Sequence, residues 1–106
     1  MRPYEAVYAA FLAYIASNGR RLVSLARALG QSEVLIELRA LFKYHDPSTG
    51  FRRLEETVEC ILESVEERKA LERLGLNVAK RNDAVYLVIT TDDLERKVEE
   101  LERAKV

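Results

Sequence analysis

Between Leu76 and Thr90 the chain carries the one pattern that a purely helical bundle cannot absorb. Ala84-Val85-Tyr86-Leu87-Val88-Ile89-Thr90 is rich in β-branched and aromatic residues, the types that fit a pleated, half-buried surface. Leu76 to Arg81 reads as a second strand. Asn82-Asp83 between the two is a two-residue turn, because both residues tolerate positive φ. The pattern therefore predicts one two-stranded antiparallel hairpin over roughly 76–90, ahead of a C-terminal helix.

The remainder reads as helix. Pro3 suits a first helical turn, where its missing N–H costs nothing. From Pro3 to Ser17 apolar residues lie almost all round: Tyr4, Tyr8, Phe11, Leu12 and Ile15 in one stripe, with Val7, Tyr14 and several alanines on the other sides. Such a helix is central to a core or shared with another subunit, so Tyr4, Tyr8 and Phe11 are candidate partner contacts, and self-association or binding to a larger subunit is expected. Asn18-Gly19 reads as its end.

Asn18 to Tyr44 then predicts two amphipathic helices joined at Gly30. The first has Leu22, Leu25, Ala26 and Leu29 on its apolar side and Arg20, Ser24, Arg27 and Gln31 on the other. The second is capped by Ser32. It sets an apolar arc of Val34, Leu35, Leu38, Leu41 and Phe42 against a polar arc with Arg39 and Lys43 at one end and Glu33 and Glu37 at the other.

His45 to Gly50 is a loop. A long helix follows from Phe51 or Arg52 to Leu74. Its stripe of Leu54, Val58, Ile61 and Val65 does not align with Leu71 and Leu74, so the helix either changes partner or bends near Ser64 to Lys69, where a capping box of Ser64 with Glu67 would favour a break. Gly75 ends it. The last helix starts after Thr91, with Asp92 and Glu95 as its capping box and Leu94, Val98 and Leu101 as a narrow stripe. The expected fold is a single mainly α (α+β) domain over 1–106, a compact bundle of about five helices with the hairpin before the last of them.

The functional classes narrow by elimination. There is no glycine-rich phosphate loop, no nucleophile elbow and no Cys–His pairing at a recognisable spacing. His45 is the only histidine and lacks companions at metal-ligand spacing. Glu55, Glu56, Glu59, Glu63, Glu66 and Glu67 recur as a helix surface would, not as a carboxylate pair for acid–base work. A non-enzyme without metal or cofactor is expected. Cys60 alone rules out an internal disulfide and suits a small buried hydrophobe. No apolar run reaches the roughly 20 residues of a membrane span, and no signal-peptide cleavage pattern follows the N-terminus, so the cytoplasm is the expected location. Few heat-labile residues occur, which is compatible with a thermophilic source.

The net charge of −1 hides an asymmetry: residues 1–53 carry 8 Lys/Arg against 4 Asp/Glu, and residues 54–106 carry 9 against 14. Either the basic half faces a polyanion, or the two halves partly neutralise each other. On the first alternative the phosphate-contacting residues are Arg20, Arg21, Arg27, Arg39, Lys43, Arg52 and Arg53, reading backbone and not base sequence.

Two families are resembled. Leu25 to Ser32 resembles the first helix and turn of a helix-turn-helix, and Leu71 to Leu76 followed by Tyr86 to Thr90 resembles the end of a recognition helix and a wing. Against a winged helix, a loop and a long helix separate the two pieces, and Glu33 and Glu37 stand where phosphates would approach. Phe11 to Ser17, Leu22 to Leu29, Glu33 to Leu41 and Thr91 to Val106, with the helical layout and hairpin, resemble the small subunit of archaeal type I-A CRISPR effector complexes. That resemblance implies a non-catalytic ribonucleoprotein subunit that contacts larger subunits and helps to hold guide RNA or target DNA by the backbone. A sequence pI of about 5.9 argues against strong nucleic-acid binding by the protein alone. A protein–protein adaptor with no nucleic-acid contact is the third alternative.

Overall fold

A computed structural model describes residues 1–104. Its first element, α1 (Pro3–Ala28), is one unbroken helix of 26 residues, where Asn18-Gly19 is expected to end it. The reason lies at the other end of the chain. Gly19 is buried against the last helix, α4 (Thr91–Ala104), and a Cβ on it would sit 2.5 Å from Val98 Cγ2. Here glycine permits two helices to touch and does not break one. The Asn18 side chain donates to the Tyr14 carbonyl at 3.2 Å and the Tyr44 hydroxyl at 3.1 Å. The helix stops at Gly30, φ 66°, with Gln31 N–H on the Ala26 carbonyl at 2.8 Å and Gly30 N–H on the Arg27 carbonyl at 3.2 Å. That is a Schellman closure.

The helix expected after Gly30 does not form. Glu33–Glu37 is a strand, β1, and Leu38–Tyr44 is a 3-10 segment. Val34 and Ile36 are buried while Glu33 and Leu35 face out, a period of two. Leu38 and Leu41 are then buried and Tyr44 half-buried, the three-residue period of a 3-10 turn. Ser32 caps no helix; its carbonyl accepts the Thr91 N–H at 2.9 Å.

The hairpin is present, as β2 (Asn77–Arg81) and β3 (Ala84–Thr90), with Asn82 alone at positive φ, 56°. It is two of three strands and not the whole sheet. β1 adds to β3, giving the antiparallel order β1-β3-β2 with Glu33 opposite Thr90 and Arg81 opposite Ala84.

The long helix breaks where Ser64 suggests. Glu55–Glu63 is α2 and Val65–Arg73 is α3, with Ser64 extended between them. Ser64 Oγ accepts the Glu67 N–H at 3.3 Å. The other half of the box is absent, because the Glu67 carboxylate pairs with Arg2 at 2.9 Å. Ser64→Ala should therefore cost about 1 kcal/mol, read from the urea midpoint with an unchanged slope. α3 closes at Gly75, φ 87°. Leu76 N–H bonds the Leu71 carbonyl at 2.9 Å, and both leucines are fully buried, the apolar contact that accompanies this closure. In α4 the cap is Thr90, whose Oγ1 accepts the Asp93 N–H at 3.1 Å. The expected Asp92–Glu95 box is spent elsewhere.

α1 runs through the middle, packed by α2, α3, α4 and the 3-10 segment. These neighbours cover most of its apolar residues, and Val7, Phe11 and Ile15 are fully buried. Among the described residues no helix is long and apolar enough to cross a membrane.

Candidate nucleic-acid interface

The fold sorts the seven expected phosphate contacts into three groups. Arg20 and Arg27 point at α4. Arg20 forms a bidentate pair with Glu102, Nε to Oε1 at 2.9 Å and Nη2 to Oε2 at 2.8 Å. Arg27 Nη2 meets Asp92 Oδ1 at 2.8 Å and Glu95 Oε1 at 3.1 Å. The hydrogen bonds to Glu102 and to Asp92 hold these two guanidinium groups above the usual arginine pKa. The polar stripe of α1 thus serves the helix pair, and this part of the charge asymmetry is satisfied inside the molecule.

Arg52 and Arg53 border a surface hollow with Glu55, Glu56 and Glu59, a mixed surface and not a basic one.

Arg21, Arg39 and Lys43 come together. They line an open groove with Tyr14, Asn18, Ala40, Phe42 and Tyr44. From α1, the spacing i, i+4, i+7 brings Tyr14, Asn18 and Arg21 to one face. The 3-10 segment supplies the opposite wall. Arg21 Nη2 donates to Asn18 Oδ1 at 3.0 Å, and Asn18 holds the Tyr44 hydroxyl. The Tyr14 and Tyr44 rings meet edge to face, centroids 5.5 Å apart at 85°. Lys43 Nζ stands 5.4 Å from the Tyr44 ring centroid. Arg39 is largely exposed, with its Nε 3.6 Å from Glu37 Oε1. Among the described residues neither Arg21 nor Lys43 has a carboxylate partner. The groove therefore offers cationic ends above aromatic edges, on walls fixed by a hydrogen-bond network. That chemistry suits phosphate with an adjoining planar base. Tyr14, Asn18 and Tyr44 escape the sequence reading because Arg21 joins the Tyr14–Asn18 face only if α1 continues past Gly19, and Tyr44 reaches it from the 3-10 segment.

Of the residues expected at a partner surface, Phe11 is buried and Tyr4 and Tyr8 are half-buried. Phe11 has no exposed surface. Tyr8 stacks on it at 6.1 Å and accepts a hydrogen bond from Lys97 at 3.1 Å. Tyr4 lies under the Arg2 guanidinium at 4.8 Å. The exposed large side chains of α1 are instead Leu25 and Leu29, 56% and 61% accessible, which the amphipathic reading takes for a packed side.

Cys60 is exposed on α2 and not buried. His45 Nε2 lies 2.6 Å from the Phe51 carbonyl, which closes the loop between them. Among the described residues no three His, Cys, Asp or Glu are grouped to hold a metal ion. Comparison with family models, curated proteins and solved structures gives no match for this chain.

Proposed function

We propose that this protein is a non-catalytic nucleic-acid-binding protein that grips the phosphate backbone in the Arg21–Arg39–Lys43 groove. One observation carries the reading: Arg21 and Lys43 are matched to an amide and an aromatic face, with no carboxylate at either among the described residues, whereas Arg20 and Arg27 are neutralised by α4.

The order α1-β1-α2-α3-β2-β3-α4 with a β1-β3-β2 sheet supports a winged-helix setting by fold-level analogy. The break at Ser64 leaves α3 directly ahead of the hairpin, whereas Leu25 to Ser32 leads into β1 and not into a recognition helix. But α3 opens with Val65 and Glu66, and α2 exposes Glu55, Glu56, Glu59 and Glu63. A recognition helix uses its first turn, and here that surface repels phosphate. The groove is the alternative grip.

A second reading keeps the groove and makes the domain a subunit of a larger ribonucleoprotein, as in the CRISPR effector complexes that its sequence resembles. The exposed Leu25–Leu29 stripe favours it. Recovery of guide RNA and larger subunits from the native host would separate this setting from a free regulator.

The test is fluorescence anisotropy with labelled single- and double-stranded oligonucleotides across a salt series. Three neutralised phosphates predict a log–log slope of about −2.7 on duplex and about −2 on single strands, with no sequence preference. Arg21→Glu with Lys43→Glu should abolish binding, while Arg20→Ala with Arg27→Ala should keep both affinity and slope. Equal binding by the groove variant and the wild type would sink the reading.

A further inference from the structure

The 3-10 segment Leu38–Tyr44 divides two clefts of opposite character. On the side away from Tyr14 it faces α2 and the hairpin turn across a second cleft. The floor is apolar: Leu38, Phe42, Val58 and Val85. Carboxylates stand on the rim: Glu37 on β1, Glu55 and Glu59 on α2, and Asp83 at the turn. Among the described residues the only cation lining it is Arg39, beside Glu37. Arg52 and Arg53 border Glu55 and Glu59 from outside, but neither forms an ion pair with them among the described residues. The volume is about 260 Å³, under the roughly 300–1,000 Å³ of small-molecule sites. It holds one inserted side chain and little else.

We propose that this cleft docks a basic segment of a partner protein. One aliphatic or aromatic side chain enters between Phe42, Val58 and Val85, and flanking lysines or arginines meet the rim carboxylates. The charge decides the occupant. A nucleic-acid backbone would face four carboxylates and one guanidinium, whereas a basic peptide gains charge-assisted hydrogen bonds at the same positions. The apolar floor sets a second requirement that charge alone does not meet, as in grooves that read one anchor side chain and its neighbours. The two clefts share Arg39 and Phe42, whereas Glu55, Glu59, Asp83, Val58 and Val85 line only this one of the two.

The test uses the full chain, labelled with nitrogen-15, and synthetic decapeptides. One set carries a central Leu, Ile, Phe or Met between arginines and lysines. A second replaces the central residue with Ser, and a third replaces the basic flanks with Glu. At low salt at least one peptide of the first set should shift the amide signals of Phe42, Val58 and Val85, and the other two sets should bind at least tenfold more weakly. Glu55→Gln with Glu59→Gln, both exposed and safe for folding, should weaken the best peptide about tenfold and leave oligonucleotide binding unchanged. The proposal is overturned if no peptide of the first set shifts those signals, if the Ser-centred peptides bind equally well, or if the double variant binds the best peptide as the wild type does.

Discussion

Ile36→Ala should destabilise the protein by about 2–5 kcal/mol, while Leu35→Ala next to it should change stability by no more than about 0.5 kcal/mol. Ile36 is 3% exposed and pairs across the inner sheet face with Leu87, which is fully buried; Leu35 is 40% exposed on the outer face. Deleting the first leaves a cavity that close-packed neighbours cannot fill. Deleting the second removes surface from water that was already wet. For a domain of this size the Ile36 variant should melt at least about 8 °C lower. Urea unfolding of the two variants settles the matter. A helix over 33–41 would bury Leu35 with Val34 and Leu38 and turn Ile36 aside, so a larger loss from Leu35→Ala would restore that arrangement.

Gly19→Ala should also destabilise, against the usual effect of removing glycine from a helix. Alanine returns up to about 1 kcal/mol of helix preference. The new methyl, however, would lie 2.5 Å from Val98 Cγ2 and 3.2 Å from Ile15 Cβ. Val98 is 3% exposed and too short to swing away, so the two helices must separate. Overpacking of this kind costs about 1–3 kcal/mol. Val98→Ala opens the space, and Gly19→Ala with Val98→Ala should be more stable than Gly19→Ala alone. A thermal unfolding series over the four proteins reads the coupling. Stabilisation by Gly19→Ala would place Gly19 on an open helix face.

Some local signals hold and others do not: Ser32 caps no helix and Asp92 with Glu95 forms no capping box, because distant partners claim those groups. The hairpin, the Ser64 break and the two glycine closures are written in short-range chemistry, and the structure contains each of them. Asn18-Gly19 has the look of a helix end. What keeps the helix going is Val98, a residue that no local window includes. The stretch from Val34 to Tyr44 contains its answer in two periods, Val34-Ile36-Leu38 at two and Leu38-Leu41-Tyr44 at three. An α-helical template fits a similar set of leucines and hides both. β1 further depends on β3, whose paired positions lie 49 to 57 residues on, so nothing nearby announces it. For the groove, Arg21, Arg39 and Lys43 were legible as charges. Their separation from Arg20 and Arg27 was not, because it depends on where α4 places Asp92, Glu95 and Glu102.

The contact between α1 and α4 has a consequence during synthesis. α1 emerges from the ribosome first, yet its closest packing partner and the acceptors for Arg20 and Arg27 are made about 65 to 82 residues later. β1 likewise waits for β3. Until α4 clears the exit tunnel, the nascent chain presents Val23, Ala26 and the Gly19 face to solvent, with two arginines searching for carboxylates. Binding of this chain by a general chaperone should therefore fall once α4 is free to pack on α1.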